Sequence, residues 1–310
     1  MILWNYLLSH HHNYDIDTLI AKLKSCHDHF TVLSINMQSI KAKWSLFTAT
    51  LDCLFDQEVL PCAIFMQETW LESDMNLYDI ANYESFYLKP TCSTHGGLAT
   101  YIRKDFSAKM LDIYLPSFNW EGQFFEGKGL YCGQNVVLAN IYKPPRQNNN
   151  HENVSSFMND LNACLDRIDS ADNIIIAGDF NIDLLKIHNN TVFNSYFENF
   201  LRRGFISAIT KPTRFSNYNA TLIDHVFIKS MANYSYIFGS IITTKISDHL
   251  ATFCGIPFSK PDRKRPTIAT VSSYSVENMS NFLHEVDLVD WNGVLNTRLI
   301  DDPNDKFIET

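Results

Sequence analysis

Short apolar runs and longer stretches with helical spacing alternate along the chain, with no fixed repeat. A continuous or alternating apolar run predicts a β-strand, and apolar residues three or four positions apart predict a helix. The run at 173–177, Asn-Ile-Ile-Ile-Ala, is the candidate for the most deeply buried strand. The pattern predicts strands at 30–35, 63–66, 85–88, 98–102, 136–142, 173–177, 222–228, 236–243 and 250–254, and helices through Trp44, Phe47, Leu51 and Phe55 and over 154–168.

Several neighbouring predicted strands have no helix between them, whereas parallel neighbours need a long crossover, usually helical. The pattern therefore indicates mixed or antiparallel sheets. A sheet with an apolar face must bury that face against another layer. We predict an α/β fold, specifically a four-layer sandwich in which two packed mixed β-sheets are flanked by helices.

The chain is predicted to have three segments. Residues 1–29 form a polar lead-in with one short helix, and residues 30–258 form one large α/β domain. Residues 259–310 form a linker and tail, which begins with the basic, proline-bearing stretch 259–266. The tail has only a weak helical pattern, so it is not expected to form a core of its own.

Composition narrows the class of protein. Hydrophobic residues make up 45% of the 310 residues, which is enough for a sizeable core. The chain has 25 Lys and Arg against 34 Asp and Glu. The net charge of -9 argues against charge-driven nucleic-acid binding over the whole surface, but not against a local basic groove. The seven cysteines show no CxxC spacing, so we expect reduced thiols in an intracellular protein. No signal peptide, membrane span or membrane partner is expected.

Polar and acidic residues stand where the predicted strands end. Because strand ends on one rim of a layered α/β protein converge, these residues are expected to share a site. Taken alone, each has a structural explanation: Glu68 as a carboxylate at a helix N-terminus, 178–181 as a turn, and 247–249 as a turn with a structural histidine. Their joint presence in one order favours a site. The set comprises Asn36, Glu68, Tyr142, Asp179, Asn181, Asp224, Asp248 and His249.

Eight short strings follow one another along the chain: Asn36-Met-Gln-Ser-Ile40, Gln67-Glu-Thr-Trp-Leu71, Gly96-Gly-Leu-Ala-Thr-Tyr-Ile102, Asn140-Ile-Tyr-Lys-Pro-Pro145, Gly178-Asp-Phe-Asn181, Thr213-Arg214, Ile223-Asp-His225 and Ser247-Asp-His249. Their order resembles that of the endonuclease/exonuclease/phosphatase superfamily. The branch that they resemble most is the AP-endonuclease-like endonuclease of non-LTR (LINE-type) retrotransposon proteins. The Gln-Glu-Thr-Trp, Gly-Gly-x-Ala and Ile-Tyr-x-Pro-Pro strings carry this narrower resemblance, and the whole set spans about residues 30–256.

The resemblance implies a divalent-metal-dependent DNA endonuclease. Such an enzyme hydrolyses a phosphodiester of double-stranded DNA and leaves a 3'-hydroxyl that primes reverse transcription. Mg2+ is the expected cofactor, with Mn2+ as the alternative, because both prefer carboxylate and carbonyl oxygens. The cation would offset the negative charge that builds up on the phosphate during attack. Its expected ligands are Glu68, Asn36 and Asp248.

The resemblance also implies roles for the other residues. His249 and Asp179 are the two candidates for activating or orienting the attacking water, since a histidine is poised near neutral pH and a carboxylate partner fixes its tautomer. Asp224 is expected to pair with His249, and Asn181 to donate to the phosphate. The remaining substrate contacts are expected from Tyr142, Thr213 and Ser247.

Two positions depart from the family pattern. Gln38 stands where some relatives have a carboxylate or another polar residue, which leaves the number of metal ions open. Lys143 stands where arginine is common, and both residues are cationic.

The segment 214–221 is predicted to be a loop at the site, because only ten residues separate Thr213 from Asp224 and the chain must leave the rim and return at once. In this loop Arg214 is expected to bind phosphate and Tyr218 to stack on a base or wedge into a base step. The alternative is a plain hairpin turn.

Two other functions stay open: another phosphoesterase of the same fold, acting on an inositol phosphate or sphingomyelin, and an inactive retrotransposon-derived fragment. The tail resembles the connector between the endonuclease and reverse transcriptase of retrotransposon proteins. We therefore expect the chain to be the front piece of a longer element protein or a truncated copy. Element RNA and a reverse transcriptase domain are the further expected partners, and the nucleus is the expected place of action.

Overall fold

The computed structural model describes residues 12–14, 29–73, 75–91, 95–113, 115, 119–128, 135–145, 151–216, 219–231 and 237–257, together with the single positions 284 and 288. The chain divides into two compact units, Met1–Pro261 and Asp262–Thr310. The predicted linker 259–266 lies outside the described residues. No helix of the described part of the chain is long and apolar enough to cross a membrane.

The described elements follow one another in a mainly β order. Three α-helices are present among the described residues: α1 (Ile40–Phe55), α2 (His151–Ile168) and α3 (Thr191–Arg202), with short 3-10 turns at Met75–Tyr78 and Leu184–Lys186. The strands are β1 (His12–Tyr14), β2 (His29–Asn36), β3 (Ala63–Gln67), β4 (Tyr83–Leu88), β5 (Leu98–Arg103), β6 (Ser107–Met110), β7 (Glu121–Lys128), β8 (Asn135–Tyr142), β9 (Asn173–Asp179), β10 (Ile206–Ser207), β11 (Arg214–Ser216), β12 (Asn219–Thr221), β13 (Asp224–Ser230), β14 (Phe238–Ile242) and β15 (Ala251–Pro257).

The strands form two large mixed sheets and a small hairpin. The first sheet has seven strands in the order β1-β14-β15-β2-β3-β5-β4, and the second has six in the order β10-β13-β9-β8-β7-β6. Strands β11 and β12 form a separate two-stranded sheet. Within the sheets, β2–β3, β8–β9 and β1–β14 are parallel pairs, and the other pairs are antiparallel. The predicted α/β fold with two mixed sheets is confirmed.

Alternating side chains of β2 and β3 pack into two different cores. Leu33 and Ile64 join the core that contains Phe47 and Leu51 of α1. The residues next to them in each strand, Val32 and others, join the larger core shared with the second sheet, α2 and α3. This two-residue period is the signature of a strand buried on both faces by different layers. The first sheet is therefore sandwiched between α1 and the second sheet.

Several elements were not among those predicted. Helix α3 has buried aromatic residues at helical spacing, and Asn190 caps it by accepting from the Val192 and Phe193 amides at 3.0 and 3.2 Å. This signal was readable in the sequence. Strand β7 begins with a buried glutamate and contains two glycines, so its local composition does not predict a strand and only sheet pairing explains it. The other unpredicted strands are β1, β6 and β10.

Strand β1 lies within residues 1–29, which were predicted to be a polar lead-in that precedes the domain. Residues His12–Tyr14 pair in parallel with Ser240–Ile242 of β14, at the edge of the seven-stranded sheet. A three-residue edge strand carries little sequence signal, because its pairing is set by the neighbouring strand. The sheet thus reaches into the segment that was predicted to precede the domain.

Candidate active site

The candidate residues at strand ends meet at one rim of the two sheets. Asn36 ends β2, Glu68 follows β3, and these strands run in parallel, so both side chains emerge together. Asp179 ends β9 and lies opposite Asp224, the first residue of the antiparallel β13. Tyr142 ends β8 in register with Asp179. The predicted convergence of strand ends is therefore observed.

Asn36 links the two sheets at this rim. Its side chain is fully buried, and Nδ2 donates to Glu68 Oε1 at 2.8 Å and to Asp179 Oδ2 at 2.9 Å. Its Oδ1 accepts from the Gln38 amide at 3.1 Å. The carboxylates of Glu68 and Asp179 each need a hydrogen-bond donor, and the backbone amide of Gln38 needs an acceptor. With Nδ2 facing the carboxylates and Oδ1 facing Gln38, the Asn36 side chain satisfies all three groups. Asn36 holds the two carboxylates at a fixed separation.

Asp179 is a buried carboxylate that is surrounded by donors. Besides Asn36, it accepts from the Asn181 amide at 3.0 Å and from Asn181 Nδ2 at 3.1 Å. Burial, together with the carboxylates of Asp224 and Glu68, raises the pKa of Asp179 to about 7, against the lowering effect of His249. The group thus holds a proton more strongly than an ordinary exposed carboxylate does.

His249 and Asp224 form a buried pair. His249 Nδ1 donates to Asp224 Oδ1 at 2.9 Å and lies 3.0 Å from Oδ2, and His249 is 1% exposed. Burial lowers the pKa of His249, but Asp224 and Asp179 outweigh it and raise that pKa to about 9. The pairing also fixes which ring nitrogen faces the carboxylate, so Nε2 is the atom left for other contacts.

Two hydroxyl residues position this pair. Thr213 Oγ1 accepts from the Asp224 amide at 3.1 Å and from the Ile223 amide at 3.3 Å, and the residue is fully buried. Ser247 Oγ donates to the Asn36 carbonyl at 2.7 Å and accepts from the His249 amide at 3.2 Å. Their described hydrogen bonds order the backbone that carries Asp224 and His249, and contact with substrate stays a prediction for both residues.

Asp248 and Arg214 form an ion pair at the outer edge of the site. Arg214 Nε lies 2.8 Å from Asp248 Oδ2, and both side chains are more than a third exposed. Arg214 also forms an isolated antiparallel bridge with His249. Partial burial raises the pKa of Asp248, but Arg214, His249 and a hydrogen bond from Gln38 lower it below its usual value. Asp248 is therefore a carboxylate with its charge partly balanced by Arg214.

The remaining predicted residues lie close to the same rim, with one exception. Tyr142 and Lys143 are buried, and the Lys143 carbonyl accepts from Asn181 Nδ2 at 2.9 Å while its amide donates to the Asp179 carbonyl. Lys143 thus orders the loop that follows β9. Tyr218, which was predicted to stack on DNA, lies outside the described residues.

Strained backbone is concentrated in the loops of this rim. Seven described residues other than glycine have a positive φ. Five of them belong to the loops that follow β2, β3 and β9, and Glu68 has a φ of 50°. Such conformations cost on the order of 1–3 kcal/mol each and persist where the surroundings enforce them, often at functional sites. The five are Gln38, Ser39, Glu68, Trp70 and Asn181.

The donors at the rim fit a hard divalent cation. Glu68 is a half-buried carboxylate beside Asn36 and Asp179, and oxygen-only donors suit Mg2+ or Mn2+. Asp179, Asp224 and His249 also form a group whose ligand atoms lie within 4.8 Å of one another. Asp224 and His249 are already hydrogen-bonded to each other, so a cation there would have to break that pair. Glu68 is therefore the better anchor for a metal.

A buried polar network behind the rim went unrecognised in the sequence. Gln67 Nε2 donates to Asn140 Oδ1 at 2.7 Å and to Ser34 Oγ at 3.1 Å. Asn140 Nδ2 in turn donates to Thr100 Oγ1 at 3.0 Å. These bonds join β3 of one sheet to β8 of the other, directly beneath Glu68 and Tyr142. Gln67 and Asn140 each begin one of the family motifs, but their hydrogen bond to each other becomes evident only from the packing of the two sheets.

His225, next to Asp224, has a structural role. Its Nε2 faces the Ile182 and Leu222 carbonyls at 2.9 and 3.2 Å, so it donates, and Nδ1 accepts from the Tyr196 hydroxyl at 2.9 Å. The ring stacks on Phe180 with centroids 4.9 Å apart. The imidazole therefore ties α3 to the loop that carries Asp179 and Asn181.

This environment predicts a pH dependence of stability. Burial lowers the pKa of His225 from 6.5 to about 4, outweighing its hydrogen bonds to Leu222 and Ile182. A histidine with a lowered folded-state pKa stabilises the fold above pH 6.5 and loses that contribution as the pH falls towards 4. We expect the free energy of unfolding to drop by about 3 kcal/mol from this group over that interval.

The measurement is urea unfolding of wild type and His225→Gln at several pH values from 7 to 4. The difference in unfolding free energy between the two proteins should shrink as the pH falls, because only the wild type loses the contribution. His188→Gln, which removes an exposed imidazole, is the control. A constant difference across the range would contradict the neutral, buried role of His225.

Comparison with known proteins agrees with this geometry. A model of the endonuclease/exonuclease/phosphatase family matches residues 13–249. Among curated proteins, none matches the sequence. The endonuclease domain of TRAS1, a telomere-specific non-LTR retrotransposon, has a TM-score of 0.54 at 14% identity, covering 74% of this chain and 98% of that one.

Two further solved structures share the fold. One is TDP2 from D. rerio complexed with a single-strand DNA product, with a TM-score of 0.52 and 16% identity over 73% of this chain and 98% of that one. The other is the 3' phosphatase NExo from Neisseria bound to a product DNA hairpin, with the same TM-score, identity and coverage. At these identities the likeness concerns the fold alone.

The family model covers most of the chain, and the fold that carries these motifs is that of solved phosphoesterases and nucleases. The TRAS1 endonuclease domain is one of the solved structures that share this fold. The chain belongs to the endonuclease/exonuclease/phosphatase family.

Proposed function

We propose that the chain is a divalent-metal-dependent endonuclease that nicks double-stranded DNA. The observation that carries the proposal is that hydrogen bonds of 2.8 to 3.0 Å hold Glu68, Asn36 and Asp179 together and His249 to Asp224. Asp179 and Asp224 lie opposite each other on paired strands, so the two groups share one rim. A cation-binding carboxylate, a buried base and an oriented histidine are the groups that phosphodiester hydrolysis requires.

The geometry supports a division of work between Asp179 and His249. Asp179 accepts hydrogen bonds from three donors and is the candidate to take a proton from the attacking water. His249 is bound through Nδ1 to Asp224, so its Nε2 is the atom that would donate to a phosphate oxygen. Asn181 holds Asp179, and we propose that its Nδ2, which donates to Asp179 and to the Lys143 carbonyl, would exchange one of these bonds for a bond to the same phosphate.

Glu68 would hold the cation, with Asn36 fixing its carboxylate and Asp248 nearby as a further oxygen donor. When bound, the cation would offset the negative charge on the phosphate. Mg2+ is the proposed ion and Mn2+ the alternative. The proposed product carries a 3'-hydroxyl that can prime reverse transcription, and the proposed setting is a nuclear element protein with a reverse transcriptase domain and element RNA as partners.

The test is a nicking assay on supercoiled plasmid, with Mg2+, with Mn2+ and with EDTA. Conversion to open circles that requires the cation would support the proposal. Extension of the nicked product by a DNA polymerase would show a 3'-hydroxyl. A phosphate-release assay with inositol phosphate, and hydrolysis of sphingomyelin, cover the other phosphoesters. Hydrolysis of those substrates without nicking would overturn the proposal.

The β11–β12 hairpin is proposed to influence where DNA is nicked. It carries Arg214, which binds Asp248 and bridges His249, so the hairpin is fastened directly to the site. The segment 214–221 was predicted to be a loop, with a plain hairpin turn as the alternative. The pairing of β11 with β12 agrees with the hairpin. A hairpin that reads groove shape would give only a loose sequence preference.

We therefore expect that replacing residues 215–220 with a neutral turn shifts the positions of nicks while cation-dependent cleavage persists. Arg214 and Thr221 are kept, since the Thr213 amide binds the Thr221 carbonyl at 2.9 Å. Nicks are mapped on one plasmid for wild type and variant. An unchanged nick pattern would rule the hairpin out as the reader.

A further inference from the structure

An exposed indole stands beside the proposed metal ligand. Trp70 is 38% exposed and lies two residues after Glu68, so their Cα atoms are at most about 7.6 Å apart. Single exposed apolar residues are common on protein surfaces and carry no message alone. What sets Trp70 apart is how firmly the structure holds it.

The backbone under Trp70 is strained and pinned. Trp70 has a φ of 53°, and its amide donates to the Gly96 carbonyl at 2.9 Å. The preceding amide, that of Thr69, donates to the Gly97 carbonyl at 3.1 Å. The same stretch of chain places the His95 ring against the indole, with centroids 4.8 Å apart and ring planes at 77°. The result is a pair of aromatic rings, one on the segment after β3 and one just before β5, with backbone hydrogen bonds linking the two segments.

A buried carboxylate, that of Glu121, holds the chain segment before β5 in place. Glu121 is fully buried and accepts from the Gly97 amide at 2.6 Å and the Thr91 amide at 2.7 Å. Burying a carboxylate is costly, and backbone donors at both ends of the loop compensate it. A Cβ on Gly96 would come within 2.4 Å of Glu121 Oε1, which explains the Gly-Gly string at this position. Glu121 therefore fixes the position of Gly97. Gly97 in turn is hydrogen-bonded to Thr69, next to Trp70, and lies two residues after His95.

We propose that Trp70 and His95 form a stacking platform for a nucleobase of the DNA next to the cleaved phosphodiester. The proposal rests on the proposed function, because it names how that substrate is gripped. A base stacked on an aromatic ring contributes about 1–3 kcal/mol and needs no particular sequence. Stacking also suits a chain with a net charge of -9, since it adds affinity without a basic surface. Glu121 acts as a positioning residue.

The experiment measures binding of the full chain to a short fluorescent duplex by anisotropy in EDTA, so that cleavage does not interfere. A set of duplexes lacks one nucleobase each, at every position in turn. We expect Trp70→Ala to raise the Kd about 5- to 100-fold, the range that loss of one stacked base implies. One particular base removal should weaken wild-type binding but leave the binding of Trp70→Ala almost unchanged.

Conservative and distant variants complete the design. Trp70→Phe keeps an aromatic ring and should bind within about threefold of wild type, which is under 1 kcal/mol. Glu121→Gln should weaken binding and reduce the dependence on that same base. Leu77→Ala removes an exposed apolar side chain elsewhere and should have no effect.

Binding by Trp70→Ala equal to wild type, or effects that add independently at every position, would overturn the platform. Nicking is assayed separately from binding. If the wild type binds the duplex but never nicks DNA, the proposed function is wrong, and the base-removal measurements still test the stacking platform. A wild type that nicks normally while Trp70→Ala shows no coupling sinks the platform alone. A wild type that neither binds the duplex nor nicks plasmid in the presence of the cation overturns both proposals.

Discussion

Replacing Glu68 or His249 by alanine is expected to abolish cation-dependent nicking, with a loss of at least about a thousandfold. Glu68 is the proposed anchor of the cation, and His249 is the donor aligned by Asp224 at 2.9 Å. Neither role has a substitute among the described neighbours, since Asp179 and Asn36 are already engaged with each other at 2.9 Å. The measurement is the initial rate of plasmid nicking at saturating Mg2+.

Loss of activity must be separated from loss of folding, because His249→Ala leaves the buried Asp224 carboxylate without its partner. His249→Asn retains an N–H donor for Asp224 but cannot carry the imidazole's proton, so it should fold and remain inactive. Exposed residues provide matched controls: Glu84→Ala and His188→Ala should nick at the wild-type rate. Near-normal nicking by a folded Glu68 or His249 variant would refute the assigned roles.

Replacing Gly178 by alanine is expected to cost at least about 4 kcal/mol of the free energy of unfolding. Gly178 has a φ of 149°, and a Cβ there would lie 1.8 Å from the Ile141 carbonyl oxygen of the neighbouring strand. The atom that it meets is backbone, so relief requires β8 and β9 to separate next to Asp179. Urea unfolding followed by circular dichroism measures the loss.

Two other glycines separate steric from conformational causes. Gly127→Ala places its Cβ 3.9 Å from the nearest atom, without a positive φ, and should change the stability by less than about 1 kcal/mol. Gly204→Ala meets no atom within 4 Å but has a φ of 82°, so it should cost about 1 kcal/mol. A Gly178→Ala protein as stable as Gly127→Ala would show that the strands adjust freely at this point.

Much of the fold could be predicted from the sequence because the core strands are hydrophobic enough to be identified locally. The run 173–177 forms the first five residues of β9, and the helices predicted through Trp44–Phe55 and over 154–168 are α1 and α2, each of which begins a few residues earlier than predicted. Strand β7 could not be predicted, since its glutamate and glycines contradict strand propensity and only pairing with β6 and β8 stabilises it. Helix α3 also has a local sequence signal, namely aromatic residues at helical spacing after the Asn190 cap.

The sequence by itself determined which residue types gather at the site and in what order. Strand ends carry the chemistry, and strands are recognised by a local period of two residues, so Asn36, Glu68, Asp179 and His249 could be named in advance. It also determined the family, because an ordered set of short strings survives where overall identity to solved structures is 14–16%.

Only the tertiary structure decided what each of these side chains touches. Thr213 and Ser247 hydrogen-bond the backbone around Asp224 and His249, a role that their positions in the sequence do not indicate. Glu121 lies in a strand with no local signal, yet it anchors the loop under Trp70 through bonds to Gly97 and Thr91. The side-chain contacts of Thr213 and Glu121 join residues 10 to 30 positions apart, because the hydrogen-bonding partner of a buried polar group is set by the packing of the sheets and not by its neighbours in sequence.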